Sequence, residues 1–352
     1  MLSNPDPSPP GQPSVGVIEN SPLWWGGSAV RRMLPVRSWR RQRAEFGRAS
    51  GEDPWTGRPL TGLIGACLSH SAPSLLLLIP AYNEERRIAP VLSAYAEYFY
   101  HHYPGRVRVL VVLNGCRDDT LGVVRAAEQR YLSISHVEFP APIGKGGALI
   151  EGLKLAPLAD LVGYVDADGS TPPASFLDLV TRCASGSADC VIASRWLPGA
   201  RITHAQPGRR RFASRLFHLF VEAFFGMGIS DTQCGAKVMT RRAAEAVHSK
   251  LRLADLSFDV NLLYSLRHAG FTIQEVPSEW NDQSGSHVVF NVRTSLIMLL
   301  SLIRLRLVYS PFYAWLRPLR PLETWAYVTL NSPPPLPSPD SIRTRNPGSS
   351  AE

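Results

Sequence analysis

The chain has 352 residues, 45% of them hydrophobic, enough for one large or two ordinary domains with a sizeable core. Its net charge is +8 and its pI about 9.4, with arginine concentrated in Val30–Arg48 and Gly208–Arg215. Five cysteines, an odd number without a CxxC pair, argue against a disulfide framework or a zinc knuckle and for a reducing compartment. The arginine blocks suit an anionic partner (phosphate, acidic lipid or nucleic acid), and the first is equally compatible with a solvated tail. Residues 1–72 are biased toward Pro, Gly, Ser and Arg and show no sustained period, so they read as a disordered extension. They lack the apolar core of a signal peptide.

The folded part opens at "SLLLLIPAYNEE". Leu75 to Ile79 is a continuous apolar run, the pattern of a strand buried on both faces. Pro80 ends it. Asn83 is placed to cap a helix running to about Tyr103, with Glu84 and Glu85 favourable to its dipole. Val107 to Leu113 is a second buried strand, Asp119 to Tyr131 a second helix and "HVEF" a short strand. Gly146 to Leu155 reads as helix, Leu161 to Val165 as strand, Ala174 to Cys183 as helix and Cys190 to Ser194 as strand. Strands alternating with helices predict an α/β fold with a mainly parallel, Rossmann-like sheet covered on both faces. Ligands of such sheets bind beyond the carboxyl ends of the strands. "PAYNEE", "NGCRDDT" and "DADGS" all lie there.

Asp166 and Asp168, one residue apart at a strand exit, point the same way if the backbone is extended. Two hard carboxylate groups can hold Mg²⁺ or Mn²⁺, with waters and substrate phosphates completing the shell. The same residues also suit an Asx-turn that ends the strand. "IGKGGA" fits neither the P-loop pattern nor the dinucleotide fingerprint, since Leu149 stands where a glycine is required. Lys145 beside three glycines can approach a pyrophosphate, or simply open a helix.

Taken in order, "IPAYNE", "VVLNGCRDDT", "GKGGAL", "YVDADGST", "ASRW" and "SDTQCGAKVMTR" resemble the family 2 glycosyltransferases with a GT-A fold. The likeness runs from about Ser74 to Leu307 and is closest to the dolichyl-phosphate glucosyltransferase and dolichol-phosphate mannose synthase branch. It implies that Pro80, Ala81, Tyr82, Asn83 and Glu84 line the nucleotide pocket, and that Asn114 contacts base or ribose where the family usually has Asp. Lys145 and Asp166 join them on the nucleotide sugar. Asp166 and Asp168 become the metal ligands. Asp231 and Gln233 stand close to the reacting sugar, and Ser194 and Arg195 near the acceptor. Ala236 replaces a common Phe. Trp280 falls in a loop that the family uses near the site, or anchors that loop in the core. Trp196 is expected in the core, and Asp118 and Asp119 at a helix start.

Four segments are thus expected: the 1–72 extension, a GT-A domain over 73–290, an amphipathic membrane-interface helix over 291–317 and a disordered Pro-rich tail over 318–352. Only ten uncharged residues separate Arg293 from Arg304, where a spanning helix needs about 20. The helix reads as interfacial, with arginine heads snorkelling, or as an internal element of the domain. The protein is expected at the cytoplasmic face of a membrane, as a peripheral enzyme without a nucleic-acid partner. The expected reaction moves a hexose, UDP-glucose being the favoured donor, to a polyprenyl phosphate with inversion, assisted by Mg²⁺ or Mn²⁺. Arg195, Arg209, Arg210 and Arg211 would hold the acceptor phosphate. Two alternatives stand beside it. One is a family 2 enzyme acting on a sugar or alcohol hydroxyl, with Asp231 as base. The other is a catalytically silent nucleotide-sugar binding protein.

Overall fold

The computed structural model describes residues 72–203, 208–251, 253, 255, 257–281 and 292–310. The expected tail, and all but the last residue of the expected N-terminal extension, lie outside them. The apolar runs become strands that donate alternate side chains to two cores. In β1 (Leu75–Ala81), Leu75, Leu77 and Ile79 enter one core, and Leu76 and Leu78 the other. The first core is closed by α1 (Ile88–His102), which follows β1, by α2 (Thr120–Arg130), which follows β2 (Val107–Asn114), and by α4 (Pro173–Ala184). The second is closed by α3 (Gly144–Leu153), α5 (Gly208–Phe225), α6 (Arg241–His248), α7 (Phe258–His268) and α8 (Val292–Val308).

Among the described residues, seven strands form the main sheet. Besides β1 and β2 they are β3 (Ile134–Phe139), β4 (Leu161–Tyr164), β5 (Cys190–Ser194), β7 (Lys237–Thr240) and β8 (Ile273–Pro277). Their order is β3-β2-β1-β4-β7-β5-β8. Short strands β6 (Arg201–Ile202) and β9 (Glu279–Trp280) pair separately. The sheet is mainly parallel, as expected, with one exception that sequence order conceals. β7 runs antiparallel between β4 and β5. It inserts the "KVMT" segment between β4 and β5 and carries Lys237 into the interior.

Two boundaries differ from expectation. Asn83 is not a cap: it takes a left-handed conformation, φ 55°, which asparagine tolerates, and α1 begins five residues later at Ile88. α3 starts at Gly144, where φ 78° suits glycine, so that Lys145 falls in its first turn.

Gly163 shows how tightly β4 and β7 approach. A Cβ there would stand 2.8 Å from the Lys237 carbonyl oxygen and 2.8 Å from the Phe176 ring. Gly163→Ala is expected to cost about 1–3 kcal/mol by overpacking. Urea unfolding should show a lower midpoint with an unchanged slope. An unmoved midpoint contradicts the close packing.

Candidate active site

The carboxyl ends of β1, β2, β4 and β5 carry the polar residues singled out in the sequence. After β1, Pro80 and Ala81 complete the strand and Tyr82 stands exposed. Asn83 turns the chain, and its Oδ1 accepts from the Arg117 N–H at 2.8 Å. The Glu84 N–H donates to Thr120 Oγ1 at 2.8 Å, and the Glu85 N–H to Asp118 Oδ2 at 3.1 Å. Glu85 in turn accepts from the Asp119 N–H at 2.8 Å. The loops after β1 and β2 therefore hold each other. The Glu84 carboxylate is occupied by Arg87.

Asn114, at the end of β2, is buried, and its Oδ1 accepts from the Ile143 N–H at 2.6 Å. It thereby fixes the entry to α3. What it retains for a ligand is its amide NH₂, a donor, where aspartate would offer an acceptor.

Asp166 and Asp168 lie just past β4. Asp168 Oδ1 accepts from the Ser170 N–H at 2.9 Å, the Asx-turn anticipated for it. Asp166 Oδ1 pairs with Lys145 Nζ at 2.6 Å. Both carboxylates are only partly exposed. Burial, then the charge of Asp168, push the Asp166 carboxyl above the usual range, against the pull of Lys145. A further cation would relieve that strain. Asp166 also rests in a cradle that only glycine permits, since a Cβ on Gly235 would stand 2.0 Å from its Oδ2. Two hard oxygen donors in an electronegative corner fit Mg²⁺ or Mn²⁺. Among the described residues no cluster of three His, Cys, Asp or Glu offers a fuller shell. Remaining ligands would be water or phosphate.

Asp231 and Arg195 form a closed pair. The Asp231 carboxylate accepts from Arg195 Nε at 2.7 Å, from Nη2 at 2.9 Å and from the Arg195 backbone N–H at 3.0 Å. Asp231 is only 3% exposed. Its backbone N–H, like that of Ser230, donates to Glu275 on β8. Arg195 stacks over the Trp280 ring at 5.0 Å, and its positive charge is strengthened: burial opposes the charge, but Asp231 more than offsets it. Trp280 belongs to β9 rather than to a loop and is buried. Gln233 is half-buried and makes no side-chain hydrogen bond among the described residues. Ser194 is wholly buried. Trp196 is not core: it lies half-buried against α5, beside His218 and Arg215. Arg209, Arg210 and Arg211 fall in the first turn of α5, and their side chains lie outside those described.

Sequence reasoning missed the floor of this site. Lys237, Asp259 and Tyr164 are buried beside Asp166, and the half-buried Glu275 accepts from the Asp231 N–H. The available signal was an acid or base inside an apolar run, as in "LSFDVNLL" and "GAKVMT".

Residues 77–247 match the sequence family described as Glycosyl transferase family 2. A human dolichyl-phosphate beta-glucosyltransferase is 30% identical over 230 residues, which span 61% of this chain and 69% of that protein. The chain belongs to glycosyltransferase family 2. Within the family it lies near that dolichyl-phosphate branch. Glycosyltransferase AglD of Haloferax volcanii is 29% identical over 233 residues, covering 66% of this chain but only 37% of AglD. A solved structure described as a mycobacterial protein shares the fold at 20% identity, with a TM-score of 0.51 over 67% of this chain and 74% of that one. The mixed sheet with helices on both faces is accordingly the GT-A fold of this family.

Gly235→Ala tests the cradle. The added methyl displaces the Asp166 carboxylate, and Mn²⁺ affinity, followed by the EPR signal of free Mn²⁺, should fall about tenfold or more, as for other residues that orient metal ligands. Unchanged affinity would show that Asp166 does not ligate.

Proposed function

We propose that this family 2 glycosyltransferase moves a hexose from a nucleotide sugar, UDP-glucose being favoured, to a polyprenyl or dolichyl phosphate with inversion at the anomeric carbon. The observation that carries the choice of acceptor is the locked state of Asp231. A hydroxyl acceptor needs a general base within reach. Asp231 was the candidate, and its carboxylate is buried with three N–H donors from Arg195 already on it. A phosphate monoester needs no base, because its second pKa is near ~6 and it is mostly a dianion at neutral pH. The human relative's name, a dolichyl-phosphate beta-glucosyltransferase, supports the same acceptor and sugar.

A divalent ion on Asp166 and Asp168 would supply Lewis-acid neutralisation of the diphosphate leaving group. Lys145, 2.6 Å from Asp166, adds a second positive charge at that end of the site. The acceptor oxygen forms the new bond to the anomeric carbon as the bond to the nucleoside diphosphate breaks on the opposite face. Asp231 fixes the guanidinium of Arg195 through Nε and Nη2, leaving Nη1 for a phosphate or sugar oxygen. The Arg209–Arg211 cluster would complete the acceptor phosphate site.

The acceptor's lipid would reach the site from a membrane surface, at which we place the protein peripherally on the cytoplasmic side. Cys116, Cys183, Cys190 and Cys234 are free thiols, which suits a reducing compartment. Among the described residues no helix is long and apolar enough to cross a membrane. Instead α8 buries Met298, Leu302 and Leu305 against the domain and exposes Leu300, Ile303 and Leu307. α5, packed on α8, exposes Leu216, Leu219 and Phe220. One face of α8 thus supports the internal reading, and the exposed apolar face supports the interfacial one. Arg306 is exposed beside the stripe, as in interfacial helices.

The acceptor is tested with UDP-glucose, Mn²⁺ and either polyprenyl phosphate or the matching polyprenol, with lipid products identified by mass spectrometry. Product is expected from the phosphate alone. Asp231→Asn should lower the rate, because Arg195 loses its counter-charge and its position, but the acidic limb of the pH profile should stay near pH ~6. If the limb disappears with the carboxylate, Asp231 is the base and the acceptor is a hydroxyl.

The membrane face is tested separately. Leu300→Glu with Ile303→Glu alters only exposed positions, so the fold should survive while flotation with vesicles containing anionic phospholipid is largely lost. Undiminished flotation removes α8 from the interface.

A further inference from the structure

Beneath the proposed metal site lies a buried charge network that the reaction outlined above does not use. Asp259, 3% exposed, sits in the first turn of α7. Its Oδ1 takes the Lys237 ammonium at 2.6 Å and also accepts from the Tyr164 hydroxyl. Its Oδ2 faces the Lys145 ammonium at 3.9 Å, and that ammonium is 2.6 Å from Asp166. Lys237 is wholly buried and also donates to the Cys234 carbonyl at 2.6 Å, one residue before Gly235. Asp259 is thus bonded to β4 and β7 and stands beside the start of α3, all three of which border Asp166.

Stability alone does not call for this arrangement. A buried ion pair can usually be replaced by apolar side chains without loss. The informative feature is that one carboxylate serves two ammonium groups. Lys145 is consequently shared between two acids. Held by Asp166 alone, its ammonium would be a direct competitor for any cation that Asp166 binds. With Asp259 within reach, the flexible lysine stem has a second carboxylate to move to.

We propose that Asp259 is a positioning residue that shares the Lys145 ammonium with Asp166 and so keeps the Asp166 carboxylate available to a divalent cation. The inference rests on Asp166 and Asp168 being the metal ligands. Its signature is a coupling between two residues, with opposite signs. Asp259→Asn leaves Lys145 wholly to Asp166 and should weaken Mn²⁺ binding about tenfold; Lys145→Met removes the competitor and should tighten it several-fold. In the Lys145→Met background, Asp259→Asn should then change affinity by no more than about threefold.

The experiment is a double-mutant cycle on the full chain, with Mn²⁺ affinity read from the EPR signal of the free ion and no nucleotide present. Equal weakening by Asp259→Asn in both backgrounds overturns the proposal, because it shows a general loss of negative charge or of fold rather than action through Lys145. Asp259→Asn also leaves Lys237 buried without a counter-charge. The cycle is therefore repeated with Lys237→Met present throughout, which removes that burden, and the same non-additivity is expected. If this background abolishes the coupling, the role of Asp259 is only to neutralise Lys237, and the proposal fails. Asp168→Asn separates the two levels. Wild-type Mn²⁺ binding that is indifferent to Asp168→Asn removes the metal-site reading and this inference with it, whereas sensitivity to Asp168→Asn with an additive cycle removes this inference alone.

Discussion

A lysine ammonium cut off from water must find a carboxylate, and the arrangement of the whole site follows from how Lys237 does so. Lys237 stands on β7, an interior strand of the sheet, and is wholly buried. Its partner Asp259 comes from α7, on the face of the sheet closed by the second core. An unpaired buried charge costs several kcal/mol, so neither β7 nor α7 can shift without the other. Burial works against the charge of Asp259, but Lys237 and then Lys145 more than offset it and hold its carboxyl below the usual range. The Tyr164 hydroxyl completes its hydrogen bonding.

A second closed pair, Arg195 with Asp231, stands just past the end of β5. The two pairs divide the labour of the site. Around Asp166 the acids are close together and only partly neutralised, which favours a cation. Around Arg195 the charges are matched and the geometry is rigid, with the guanidinium clamped by Asp231 below one edge and stacked on Trp280 at its face. A carboxylate spent on orienting an arginine is a poor base, and on the proposed reading the chemistry asks for none. The loops after β1 and β2 are held by each other.

The α5 and α8 pair gives the proposed lipid acceptor a physical context. Each helix buries one face in the second core and leaves apolar side chains exposed. Exposed leucines scattered singly are ordinary, but stripes on two packed helices are what an interfacial surface requires.

The sequence by itself determined the fold class and the ends of the strands at which the site lies. Continuous apolar runs bounded by Pro, Gly and Asp carry that information locally, and a strand's two faces follow from its period of two. Asp166 and Asp168 stand out in the sequence because two carboxylates end an apolar run, a place that suits a cation site or the Asx-turn that Asp168 makes. What only the tertiary structure decided is the partner of each charge. Asp231 reads as a free acid until Arg195, 36 residues earlier in the chain, is found upon it. Asn83 reads as a helix cap until its side chain is found on the Arg117 N–H. Asp259 and Lys237 stand out only as an acid and a base inside apolar runs, because nothing local says that β7 runs antiparallel between β4 and β5 and brings the two together. Hydrophobic period is a property of neighbours in sequence, whereas ion pairing is a property of neighbours in space, and here the pairs Asp231–Arg195 and Asp259–Lys237 are joined only by the latter.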